Sequence, residues 1–231
     1  MRDLLDGRLA LVTGASRGIG QAVAARMLGA GALVIRVARS KMEPVDRAED
    51  HQVDLADAGA RTRFLQLLGE RHGVPHIVVN NAGAFLLAPI EETADDLLRE
   101  QLAINLEAPF AIARSVLPGM RRRGSGQHVL VGSVADLRAF PENGAYAASK
   151  FGARGLHEVL VEEYRGSGVR CTLVSPGPTD TTVWDPFDPD AREGFPDRAS
   201  MLRPDDVADA VLWAVTRGAG CHVESIRLGP T

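Results

Sequence analysis

Lysine is nearly absent from this chain of 231 residues: of 26 basic side chains only Lys41 and Lys150 are lysine, and the other 24 are arginine. Tyrosine is as scarce, with Tyr146 and Tyr164 alone. An excess of positive charge is also missing. The formal net charge of −4 argues against a nucleic-acid partner. No apolar run reaches the roughly 18 residues that cross a bilayer, so no membrane partner is expected. Near the first residue, Arg2 is followed by Asp3 and Asp6 without the apolar core of a secretion signal. Only two cysteines occur, Cys171 and Cys221, both in stretches that read as strands, so buried thiols are expected rather than a bridge. No linker, low-complexity tract or repeat divides the chain. What remains is one cytoplasmic α/β domain over residues 1–231, whose 45% apolar content can build a sizeable core.

The scarce residues meet in Tyr146-Ala147-Ala148-Ser149-Lys150. Four residues apart on a helix, Tyr146 and Lys150 share a face, about 6 Å apart along the axis. A phenol with a pKa of about 10 exchanges protons poorly at neutral pH. An ammonium beside it favours the phenolate, at about 1.4 kcal/mol per unit of lowering. Two or three units would make Tyr146 a usable general acid/base. In an arginine-rich chain, lysine is the compact, tunable cation for that task. The same spacing also suits a surface lysine one turn below a core tyrosine.

From the start of the chain, residues 9–13 read as a buried strand, followed by Gly14-Ala15-Ser16-Arg17-Gly18-Ile19-Gly20 and a helix to Gly29. Strand, glycine turn and helix together make a phosphate site: Gly14 permits the tight turn, and Gly18 and Gly20 permit close approach at a helix N-terminus. Residues 33–37 form the next strand, ending in Arg39 and Ser40. No acid stands there to grip an adenosine ribose, and Arg17 with Arg39 can converge on a 2′-phosphate, which favours NADP(H) over NAD(H). Glu43 and Asp46 lie close by. The fourteen residues between Arg39 and Asp54 contain Pro44, so a loop and a brief strand at 51–53 are expected instead of a crossover helix.

Farther on, residues 59–71 read as a helix and 76–79 as a strand running into Asn80-Asn81-Ala82-Gly83. A long helical stretch over 93–123 should be interrupted or bent near Pro109 and Pro118. Asn105 inside it must bond backbone or hold a water. Residues 127–131 form a strand whose end, Ser133, falls where open parallel sheets bind ligands. A strand over 170–174 breaks at Pro176, Gly177, Thr179 and Thr181. Trp184, Phe187 and Phe195 then lie in a Pro- and Asp-rich segment, 178–203. They suit either a lid closing on something apolar or plugs that pin a loop. Nine acids against three arginines between Asp180 and Asp209 read mainly as a solvated flap and a helix start. A helix opening at Pro204 and a strand over 223–228 complete the chain.

In this order the residues resemble the short-chain dehydrogenase/reductase family, over nearly the whole chain. Residues 13–20 are similar to its cofactor loop and Asn80 to Gly83 to its sheet-stabilising signature. Asn105, Ser133, Tyr146 and Lys150 match its catalytic tetrad. Pro176, Gly177 and Thr181 resemble its segment beside the nicotinamide, and Asp54 with Leu55 its pair near adenine. The resemblance implies a Rossmann-type doubly wound domain: seven strands, mostly parallel, with helices on both faces. It implies hydride transfer between NADP(H) and a carbonyl or secondary alcohol. Tyr146 gives the proton, Ser133 bonds the oxygen, Lys150 tunes the phenol and holds the ribose, and Asn105 holds a relay water. Val134, Phe140, Trp184 and Phe187, with Ala84, Phe85 and Leu137, would line an apolar substrate pocket, favouring a hydrophobic ketone. An NAD-linked alcohol dehydrogenase, an epimerase or dehydratase on the same scaffold, and a non-catalytic NADP sensor are the alternatives. Relatives of this look pair the helices over 93–123 and 146–165 between subunits, so a homodimer or homotetramer is expected.

Overall fold

The apolar runs become strands covered on both faces in the computed structural model, which describes residues 4–231. They are β1 (Leu9–Thr13), β2 (Leu33–Ala38), β3 (Ala48–Gln52), β4 (Ile77–Asn80), β5 (Gly126–Val131), β6 (Val169–Pro176) and β7 (Ser225–Leu228). All pair in parallel in the order β3-β2-β1-β4-β5-β6-β7, so the sheet expected to be mostly parallel is wholly so. Side chains alternate along each strand. Ala10 and Val12 of β1 face α1 (Gly18–Gly29) and α6 (Pro204–Val215) in one core layer. Leu11 faces α2 (Ala58–His72), α4 (Ala108–Arg123) and α5 (Gly144–Glu163) in the other. Each fully buried Leu, Ile or Val contributes about 1.5–3 kcal/mol, and this two-sided cover holds the Rossmann-type sheet together.

No helix joins β2 to β3, as Pro44 and the short spacing foretold. Residues 39–47 cross instead as a loop, stapled by Arg36, only 7% exposed. Its guanidinium donates twice to Asp50, at 2.7 Å each, and at 2.7 Å to the Glu43 carbonyl. The brief third strand begins at Ala48, earlier than expected, because β2 offers it five register partners.

Two local expectations hold only in part. The long helical stretch is interrupted just before Pro109, as expected, but not at Pro118. The discontinuity is a π-helical turn, Ala103–Glu107, between α3 (Asp95–Leu102) and α4. Pro109 sits in the first turn of α4, where a missing N–H is harmless, and α4 runs on through Pro118. Cys171 is buried in β6, whereas Cys221 is exposed in the loop before β7. No described helix is long and apolar enough to cross a membrane.

The strand order reverses at β1, which pairs with β2 on one side and β4 on the other. Open parallel sheets place their ligand crevice at the carboxyl ends there.

Candidate active site

A cavity of about 810 Å³ opens along those carboxyl ends. On one wall the turn after β1 places Gly14 and Gly18 at φ of +68° and +56°, conformations that a side chain would strain. Arg17 precedes α1 in extended conformation, and no side chain caps the helix. The first-turn N–H groups, at Gly18 and Ile19, therefore line the cavity uncapped, the arrangement that receives an anion. Gly20, expected to approach a phosphate, lies outside the lining. Its α-carbon packs on the turn itself, where a Cβ would stand 2.2 Å from the Gly14 carbonyl oxygen.

This wall is tied to the next strand by buried polar bonds. Thr13 Oγ1 accepts from the Asn81 and Ala82 amides, both at 3.0 Å, and Asn81 Nδ2 donates to the Thr13 carbonyl at 3.0 Å. Asn81, Ala82 and Gly83 thereby face the cavity. Arg39, Ser40, Asp54 and Leu55 line its far end with Ser16 and Arg17. Among the described residues neither Arg17 nor Arg39 enters an ion pair. Glu43 and Asp46 are not in the lining.

Ser133, Tyr146, Lys150 and Asn105 all reach the same cavity, as do Pro176, Gly177, Thr179 and Thr181. α5 carries Tyr146 and Lys150 on one face, and the lysine ammonium lies 5.7 Å from the centre of the phenol ring. Lys150 Nζ donates to the Val131 carbonyl at 3.1 Å. The expected lowering of the phenol pKa does not hold in this structure. Burial pushes Tyr146 up to about 12 and Asp136 adds to the rise, while the Ser133 hydroxyl pulls the other way. Burial also pushes Lys150 down to about 8, against the raising pull of Asp136. Lost hydration is the leading cause of both shifts, and the ammonium, bonded to the Val131 carbonyl and 5.7 Å from the ring centre, is not among the causes acting on the phenol.

Asn105 resolves to the first of its two alternatives. Within the π turn its Oδ1 accepts from the Ala84 amide at 3.0 Å, and its Nδ2 donates to the Ala84 carbonyl and to Ser149 Oγ, each at 2.9 Å. It clamps the loop after β4 to α5. Asp136 was not anticipated. Only 1% exposed, it sits directly under Ser133. Its Oδ2 accepts from the Ser133 amide at 3.2 Å and from the Ser175 hydroxyl at 2.5 Å. Ser133-Val134-Ala135-Asp136 is a capping-box pattern, the one local signal that pointed to it.

The opposite wall is aromatic. Phe85 meets Tyr146, Trp184 and Phe187 edge-on, with ring centres 4.9, 5.0 and 5.3 Å apart. Trp184, Val134 and Phe140 line the cavity, whereas Phe187 stands behind Phe85, outside the lining with Leu137.

A family model described as short chain dehydrogenase matches residues 8–192. A D-threitol dehydrogenase of Mycolicibacterium smegmatis is 33% identical over 229 residues, spanning 93% of this chain and 88% of the relative. A metagenomic short-chain oxidoreductase solved in complex with NADP aligns at TM-score 0.82 and 30% identity, over 99% of both chains. A 4-hydroxyisoleucine dehydrogenase complexed with NADH aligns at TM-score 0.84 over 97% of both chains, and at 23% identity shares the fold alone. The matched span holds both the glycine turn and the tyrosine–lysine turn, and the chain belongs to the short-chain dehydrogenase family of oxidoreductases.

Proposed function

We propose that the chain is an NADP(H)-dependent carbonyl reductase or alcohol dehydrogenase acting on a hydrophobic ketone or the matching secondary alcohol. The observation that carries this reading is one cleft shared by the glycine turn, Ser133, Tyr146 and Lys150. A nicotinamide nucleotide suits the residues present: uncapped N–H groups for a diphosphate, glycines where a Cβ would strain the backbone, and two unpaired arginines at the adenosine end. When bound, the nicotinamide supplies or accepts the hydride.

The rest falls to the chain. Arg39, with Arg17, takes the 2′-phosphate, which distinguishes NADP(H) from NAD(H). Tyr146 keeps its proton at neutral pH and donates it to the substrate oxygen as negative charge develops there. The Ser133 hydroxyl bonds that oxygen. The lysine cation stabilises the phenolate left behind, and its remaining N–H groups hold the ribose hydroxyls. Asp136 orients Ser133 and sets the charge beneath Lys150. Asn105 acts as a positioning residue, since its amide is engaged by Ala84 and Ser149. Segment 178–203 serves as the lid over the substrate end. The enzyme works in the cytoplasm as a homodimer or homotetramer, with exposed Phe110 of α4 and Phe151 of α5 at the contact. A sedimentation mass near 24.7 kDa would contradict assembly.

Val134, Phe140, Phe85 and Trp184 support the apolar substrate. A second reading, a small polyol, is favoured by the Glu142–Arg192 pair in the cleft lining and by the name of the threitol dehydrogenase relative. A panel of ketones, alcohols and polyols followed by NADPH absorbance tests both. Higher kcat/KM on hydrophobic ketones supports the first, and higher kcat/KM on polyols replaces it with the second. NADPH binding without turnover of any member refutes an enzyme role and leaves a nucleotide sensor.

A further inference from the structure

A second cluster of chemically able side chains lies on the sheet edge, outside the cleft lining. Glu49 and His51 stand two apart on β3 and so project to the same side. The last turn of α2 brings His72 against them. His51 Nε2 lies 2.9 Å from Glu49 Oε1, and His72 Nε2 lies 3.2 Å from Glu49 Oε2. One donor atom from each residue falls within 4.8 Å of the other two. Ligands held 2.0–2.1 Å from a tetrahedral ion stand about 3.4 Å apart, the same scale.

Packing holds these donors in place. The three residues are half-buried, and the His51 ring meets Phe64 edge-on at 5.3 Å. His72 Nε2 is buried and, close as it is to Glu49, makes no well-aligned hydrogen bond. The nitrogen pairs with Glu49 at ion-pair distance, and a cation placed between the three donors would engage both imidazoles and the carboxylate at once. Two imidazoles and a carboxylate are the donor set of zinc rather than of magnesium or calcium. Arg71 Nη1, 3.5 Å from Glu49 Oε1, now supplies part of the positive charge. At 58% exposure it can withdraw to solvent.

We propose that Glu49, His51 and His72 bind one Zn²⁺ ion, with water as the fourth ligand. The ion would clip the edge strand to the end of α2. The stretch between those ligands carries Asp54 and Leu55, which line the far end of the cleft, so the clip would also steady that end.

Tag-free protein freed of metal with EDTA is titrated with ZnCl₂ against a chromophoric chelator, and its melting is followed with and without the ion. One ion per chain with a Kd at or below about 1 μM and a raised Tm are expected. His72→Gln and Glu49→Gln should each weaken binding at least tenfold while melting in EDTA as the parent does. His51→Gln should do likewise; if loss of its contact with Phe64 unfolds it, the other two variants decide the outcome. Zinc binding by the parent no tighter than by the His72→Gln/Glu49→Gln double variant would overturn the site and leave an ion-pair knot.

Discussion

The two walls of the cleft are held by different physics. The wall after β1 is fixed by backbone: glycines at positive φ, a helix start packed on the Gly14 carbonyl, and buried bonds from Thr13 to the loop after β4. The wall made by segment 178–203 is pinned at its ends by main-chain bonds between Pro178, Asp180 and Leu202, and along its length largely by side chains. Arg198 donates to Asp180 at 2.8 Å and to Asp185 at 2.6 Å, and Arg192 donates to Glu142 at 2.6 Å across the cleft mouth. Surface ion pairs contribute about 0–1 kcal/mol each, and edge-on aromatic pairs about as much. The glycine-turn wall is thus set mainly by main-chain packing, and the aromatic wall leans more on side-chain contacts.

Breaking the chemistry between the walls should have the largest effect. Tyr146→Phe removes the proposed proton donor and leaves the backbone wall untouched, so turnover should fall about a thousandfold, roughly 4 kcal/mol, with NADPH affinity nearly unchanged. Turnover like that of the parent would refute the assignment. On the rigid wall, Gly20→Ala would drive a methyl to within 2.2 Å of a backbone oxygen that has no room to yield. A loss of about 3 kcal/mol in urea unfolding is expected, with weaker NADPH binding. A neutral result there would show the turn to be as pliable as the flap.

The sheet behind the rigid wall also carries a pH signature. His128 on β5 is wholly enclosed, 2.9 Å from Asn80 Nδ2, and burial, with a smaller push from His157, drives it down from 6.5 to about 4. The unfolded chain then binds the extra proton between those values, so stability is complete above pH 6.5 and declines as pH falls toward 4. The total is about 3 kcal/mol. Urea midpoints at pH 7 and pH 4.5 should differ accordingly, and His128→Gln should flatten the difference.

Smaller effects are expected where side chains alone act. Arg39→Asp should weaken NADP binding at least tenfold more than NAD binding. Equal losses would show that Arg39 does not read the phosphate. Arg192→Ala, on the aromatic wall, should raise KM a few-fold with kcat and stability almost unchanged, since one surface ion pair is worth about 0–1 kcal/mol. A large loss of stability would place the flap with the rigid half.

The sequence by itself determined whatever depends on neighbours along the chain. The apolar runs, the turn from Gly14 to Gly20, the helical four-residue step from Tyr146 to Lys150 and the helix-free crossing after Arg39 are local patterns, and all four are realised. Tertiary structure alone decided what depends on segments brought from afar. Asp136 finds Ser175 thirty-nine residues away, and Asn105 finds Ala84 and Ser149 from inside a π turn that no composition announces. Gly20 packs against the turn outside the cleft lining, and Cys221 lies exposed in the loop before β7 rather than within a strand. The acidity of Tyr146 went the same way. Spacing puts a cation on the same helix face, but only folding sets how far it stands from the ring and how much water is left there, and lost hydration dominates.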